Sequence, residues 1–153
     1  MNTESNPEGG VPLWLPATGY QLRKAGIHFD AVRVSGALGR ELADRLATLT
    51  NGDPGPIVEQ ANGDSPVYFL VPPGSTSRRP WPTVAQRLTA NALHGDCYVG
   101  IPALQGHTWP LSWRYEPTAP NRLVHPLLLY VTLCIMTGRF AAVRDSLARE
   151  WAE

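Results

Sequence analysis

Fifteen Pro and fourteen Gly, 29 of 153 residues, break the chain into short segments, so any fold it adopts is assembled from many short elements and turns. That density stays below the roughly 25–30% that marks low-complexity chains, and hydrophobic residues supply 43% of the sequence, enough to build a core. At this length one domain is expected: a flexible tail over 1–12 and a single unit over 13–153. Thirteen Lys and Arg against thirteen Asp and Glu leave no net charge. The molecule therefore has no overall field for nucleic acid or an anionic membrane, and any nucleic-acid site has to be a local patch.

The segments between breakers read as follows. Tyr20 to Gly26 is a short amphipathic piece, and Phe29 to Val34 alternates apolar and polar residues as a half-buried strand. Ser35 offers an N-cap to a helix over Ala37 to Leu49, whose Leu38, Leu42, Leu46 and Leu49 share one face. Gly36 to Gly39, at the join, reads as a tight strand-to-helix turn, since it lacks the third glycine and the lysine of a phosphate loop. The run Thr50 to Pro56 stops that helix. Residues 56–60 and 66–71 form a β-hairpin about Asn62, Gly63 and Asp64. A loop over 72–82 leads to a short helix over Val84 to Ala90 capped by Thr83. Strands at Cys97 to Ile101 and Leu111 to Tyr115 are expected to pair as a second hairpin. Two helices close the chain, Leu127 to Met136 and Phe140 to Ala152, the second with Phe140, Val143, Leu147 and Trp151 on one face. The order predicts an α+β fold: a largely antiparallel sheet built from hairpins, a helix between the first two strands, and a C-terminal helical pair over 123–152.

Cys97 and Cys134 lack any metal spacing and read as two buried free thiols. His28, His94, His107 and His125 are scattered, so no metal site is expected. The first ten residues carry two Glu and no secretory leader, which points to the cytoplasm. The apolar run Leu127 to Met136 is far short of the ~20 residues that cross a bilayer, so no membrane partner is expected. Its all-round apolarity instead suggests a homodimer or a protein partner.

Three segments carry a family resemblance: Val67-Tyr-Phe-Leu-Val-Pro-Pro73, His94-Gly-Asp-Cys-Tyr-Val-Gly-Ile-Pro102 and Trp109-Pro-Leu-Ser-Trp-Arg-Tyr115. Over roughly residues 27–116 the chain resembles the bifunctional DNA primase/polymerase domain of the archaeo-eukaryotic primase type, as a small degenerate stand-alone member. The family runs phosphoryl transfer with carboxylates that hold divalent metals and a His that places the nucleotide. This chain departs from that pattern. Glu59 stands alone where the acidic pair belongs, Pro66 occupies the region of the family's His, and Asn91 or Ala92 falls at the third acidic position. The resemblance therefore implies the fold without the polymerase chemistry, and no cofactor.

The leading functional reading is a non-catalytic nucleic-acid- or nucleotide-binding module, with Arg78, Arg79 and Trp81 in the 72–82 loop and Arg114 as contacts. The competing view of the loop has Trp81 folding back on the core. Trp109, Trp113 and Tyr115 alternate on or beside one strand and are read as sharing a face, for core packing ahead of an aromatic platform for a base. One alternative is a protein-interaction module acting through the C-terminal helices. Another is a residual nucleotidyl-transfer or nucleotide-hydrolysing enzyme using Glu59, Asp64, His94 and Asp96 with Mg²⁺ or Mn²⁺.

Overall fold

The computed structural model describes residues 11–77, 79–90 and 95–152, with the side chains of 151 and 152 outside that description. Seven strands and three helices follow in the order β1 (Tyr20–Lys24), β2 (Asp30–Val34), α1 (Gly36–Leu49), β3 (Ile57–Gln60), β4 (Val67–Val71), β5 (Ala85–Leu88), β6 (Tyr98–Pro102), β7 (Leu111–Tyr115), α2 (Pro126–Met136) and α3 (Phe140–Ala152). The fold is α+β with antiparallel sheets, as expected. A five-stranded sheet has the order β5-β2-β4-β3-β7, and β1 and β6 form a separate two-stranded ribbon.

The hairpin over 57–71 forms with Ile57 opposite Phe69. Since β2 and β3 both pair antiparallel with β4, they run parallel to each other, and α1 is the crossover between them with β4 inserted in the gap. Alternation along the strands then builds two cores. Val32, Val34, Ile57, Val67, Phe69 and Val71 meet Leu42 and Leu46 of α1 and Leu129 and Leu133 of α2. On the other face Ala31, Val58 and Leu70 meet Trp14, Phe29, Val99 and Ile101. Helices thus cover one side of the sheet and the ribbon part of the other.

Gly39 is where α1 comes closest to the sheet. A Cβ there would overlap the Val34 carbonyl and press on Val67, so only glycine lets the helix sit this low. Ser35 stands at the N-cap with extended backbone, but its hydroxyl makes no capping bond and turns instead to Asp64. Gly36, at φ +62°, makes the tight turn that the sequence indicates.

Several local expectations are corrected. The amphipathic piece at 20–26 is strand β1, and β2 is buried on both faces rather than half-buried because ribbon and helices enclose it. The segment expected as a helix over 84–90 is strand β5, paired with β2 from Ala31 opposite Leu88 to Val34 opposite Ala85. Its alternation serves both cores, Ala85 on the helix side and Leu88 on the ribbon side, and pairing with an open sheet edge outweighs a weak local preference. The expected second hairpin does not form. β6 pairs with β1, a ladder that Ala103 N–H extends to the Gly19 carbonyl, and β7 joins the free edge of β3.

An extra residue in β7, where Ile57 faces Tyr115 and Val58 faces Trp113, splits the aromatics: Trp113 packs on the ribbon side, Tyr115 on the helix side, and Trp109 stays 72% exposed. They share no platform. On α3 it is Ser146 that is buried, while Phe140 and Leu147 are exposed, so the expected apolar face is not the packed one. Cys134 is buried, which pushes its thiol pKa up, and Cys97 is only half-buried. The tail expected over 1–12 lies mostly outside the described residues; Pro12 is buried and Trp14 is part of the core. No described helix is long and apolar enough to cross a membrane.

Candidate functional site

The ribbon leaves part of the sheet uncovered. Alternation that sends Val32 and Phe69 to the helices sends Arg33 and Tyr68 the other way, joined by Gln60 of β3 and by Gln86 and Leu88 of β5. In the ribbon, Val99 and Ile101 face the core, so Tyr20, Leu22, Tyr98 and Gly100 fall on the opposite face. Between these two surfaces runs a groove of about 420 Å³. Gly100 forms part of its wall, and a Cβ there would strike Leu111 at 2.7 Å.

The polar groups of the groove are held in place. Tyr68 donates its hydroxyl proton to Gln60 Oε1 at 3.0 Å, and Gln60 Nε2 donates to Asn62 Oδ1 at 2.7 Å. Arg33 donates from Nη2 to Asp64 Oδ1 at 2.8 Å and from Nη1 to Ser35 Oγ at 3.2 Å. Ser35 in turn donates to Asp64 Oδ2 at 2.5 Å. The Ser35 bond, with smaller help from an Asp64 backbone bond and the Arg33 charge, outweighs desolvation and holds the Asp64 carboxyl below the usual range. Asp64 therefore stays ionised and balances Arg33, which leaves the groove aromatic, rich in amides and close to neutral. Tyr20 and Tyr98 are 45% and 51% exposed, so their ring faces are open to a ligand.

The residues singled out from sequence are distributed elsewhere. Arg78 and His94 lie outside the described residues. Arg79 is only 11% exposed in its side chain; it donates to the Ser75 carbonyl and pairs with Glu150 at 3.0 Å. Trp81 donates from Nε1 to the Thr76 carbonyl, sets its ring edge-on to Tyr130 at 5.1 Å, and packs against the helix-side core. The 72–82 loop thus uses Trp81 to seal the core rather than to present an open stacking face.

Arg114 lies between two carboxylates, Asp44 (2.7 and 3.0 Å) and Glu59 (2.8 Å), while Tyr115 donates to Asp44 at 2.9 Å. This fastens α1 to the sheet edge, and the Arg114 charge is already committed there. The bonds from Arg114 outweigh desolvation and draw the Asp44 carboxyl below its ordinary value.

The three described carboxylates of the enzyme reading are not brought together. Glu59 pairs with Arg114, Asp64 with Arg33, and Asp96 with Lys24 at 3.2 Å. Among the described residues no group of three His, Cys, Asp or Glu is placed to hold a metal ion. His125 has a structural use that spacing did not reveal: its Nδ1 accepts from Leu128 N–H and caps α2.

Sequence reasoning missed the groove residues Tyr20, Arg33, Tyr68, Gln86 and Tyr98. The available signal was the polar positions within apolar strands, Arg33 in Asp30-Ala-Val-Arg-Val34 and Tyr68 in Val67-Tyr-Phe-Leu-Val71, which mark a strand face that the core does not fill. No family model matches the chain, and no curated protein or solved structure matches it either.

The depressed Asp44 value carries a pH prediction. A carboxyl whose folded pKa lies below its unfolded value of about 3.9 contributes stability above that value and loses it as pH falls through the folded one. The thermal midpoint of the wild type is therefore expected to exceed that of Asp44→Asn at pH 6, with the gap closing below about pH 4. An equal gap at pH 6 and pH 3 would count against the Arg114 clamp.

Proposed function

We propose that this chain is a non-catalytic binding module for a base-bearing ligand, a nucleotide or a short stretch of single-stranded nucleic acid, taken up in the groove between the ribbon and the open sheet face. The observation that carries this reading is the convergence of Tyr20, Tyr68 and Tyr98 with the amides of Gln60 and Gln86 and a single oriented guanidinium, Arg33. Aromatic faces accept any base by stacking, amides meet the hydrogen-bonding edges of bases, and one guanidinium meets one phosphate. The volume suits a single nucleotide unit, within the ~300–1,000 Å³ of small-ligand clefts.

The resemblance to a degenerate primase/polymerase domain agrees with this reading as an account of ancestry. The separate pairing of Glu59, Asp64 and Asp96 with their own cations supports binding without metal-dependent turnover. We place the module in the cytoplasm, in a regulatory role.

Fluorescence anisotropy with labelled single-stranded DNA tests the assignment. Because Asp64 already balances Arg33, at most one phosphate is neutralised, so log K should fall against log salt with a slope no steeper than about −0.7, a weakening of at most about two- to threefold between 50 and 200 mM salt. Duplex DNA, its bases stacked inside, should bind far more weakly. Absence of binding by single strands and mononucleotides at 50 mM salt would retire the proposal.

One observation favours a second reading, a protein-interaction module. An apolar cleft of about 990 Å³ is walled by Leu46, Leu123, Leu127, Leu128 and Val131, and on the C-terminal helices Ile135 and Phe140 are 48% and 63% exposed. If this face pairs two copies, sedimentation at micromolar concentration gives a dimer mass, and a monomer mass excludes that pairing.

A further inference from the structure

On the helix side of the sheet, away from the groove, the turn after β4 and helix α3 line a separate open pocket of about 660 Å³. The turn is tightly fixed. Asp30, fully buried in β2, accepts the Gly74 N–H at 2.8 Å, and Ser75 donates its hydroxyl to the Pro72 carbonyl at 2.6 Å. Arg79 folds back over the turn, with Nη1 on the Ser75 carbonyl and Nη2 on Glu150 Oε1, each at 3.0 Å. Its guanidinium carbon lies 6.0 Å from the centre of the Tyr130 ring, and its Nε–H is buried without a hydrogen-bond partner among the described residues. From α3 come Ser146, 3% exposed, and Arg149. Among the described residues, two guanidiniums and two serine side chains line the pocket with one carboxylate, an excess of one positive charge at its surface.

We propose that this pocket binds phosphate as a dianion, inorganic phosphate or the terminal phosphate of a monoester. The planar guanidinium fork matches phosphate oxygens in pairs, and Ser146 lines the same wall, while the Ser75 hydroxyl proton stays on the Pro72 carbonyl. Glu150 already shows that Arg79 accepts an oxyanion here, and an incoming phosphate takes over that carboxylate's position on Nη2 while Arg149 meets its second charge. The pocket is larger than one phosphate, which leaves room for the organic part of a monoester. The site stands on the opposite face from the groove and does not depend on that assignment.

Calorimetric titration of the full chain with inorganic phosphate, against chloride at matched ionic strength, tests this directly. Phosphate should bind the wild type, about fivefold more weakly to Arg149→Gln and about fivefold more tightly to Glu150→Gln, which removes the competing carboxylate. Methyl phosphate should follow phosphate, and dimethyl phosphate, with one charge, should bind more weakly. Tyr98→Ala should leave all of these affinities unchanged. Phosphate heats equal to those of chloride, or an unchanged affinity in Glu150→Gln, would overturn the site. A diester bound as tightly as the monoester would overturn the dianion.

Discussion

Phe69→Ala is expected to lower the free energy of unfolding by about 3–5 kcal/mol, the usual cost of emptying a buried phenyl site. Phe69 sits in the middle of β4, the central strand of the five, is fully buried, and lies opposite Val32 on one side and Ile57 on the other. Both neighbouring strands are held by their own ladders, and α1 and α2 close over the ring, so little can move in to fill the space. A domain of this size holds only about 5–15 kcal/mol in total, so one substitution removes a large part of it. Urea unfolding should show the midpoint falling with little change in slope. The thermal midpoint should drop by roughly 6–20 °C, at about 2–4 °C per kcal/mol. A loss below ~1.5 kcal/mol would mean that β4 is not the centre of the core.

What the sequence discloses about this fold follows the range of the interactions involved. α1 is legible because Leu38, Leu42 and Leu46 repeat at helical spacing, and the 57–71 hairpin because its turn residues stand between two apolar runs; both signals are local. The partners of β5, β6 and β7 are not local. Whether Cys97 to Ile101 pairs with the next strand or with one nearly eighty residues earlier is decided by which edge is open once the core has formed, and nothing within the segment encodes that edge.

Side-chain roles fail for the same reason. Arg79 and Arg114 look like free cations in the chain, yet Glu150 and Asp44, some seventy residues away from each, occupy them. Trp81 is a case that the sequence left between two readings, an open stacking face or a ring folded back on the core, and Tyr130, some fifty residues later, settles it by meeting the ring. The groove itself is assembled from all seven strands, so residues such as Arg33 and Tyr68 appear in the sequence only as polar exceptions within apolar runs.

The stacking surface carries the largest expected effect on binding. Each of Tyr20→Ala and Tyr98→Ala should weaken single-stranded DNA binding by about 1–3 kcal/mol, roughly five- to 150-fold, the range found when a base loses its aromatic partner. The two rings stand on one face of the ribbon, Tyr20 opposite Pro102 and Tyr98 opposite Lys24, near its two ends. If one base stacks on each ring, the double variant should lose close to the sum of the single losses; if both rings hold one base, it should lose clearly less. Stability should stay within about 0.5 kcal/mol of wild type, since both rings are already half exposed and little buried surface is removed. Tyr98→Phe separates the face from the hydroxyl: it keeps the ring and should bind within about twofold of wild type, whereas a hydrogen-bonding role for that hydroxyl would give a loss near that of alanine. Alanine variants that bind as the wild type does would move the ligand out of this groove. Whether phosphate still titrated into the Arg79 pocket would be a separate result, because that pocket lies behind the sheet and shares no lining residue with the ribbon.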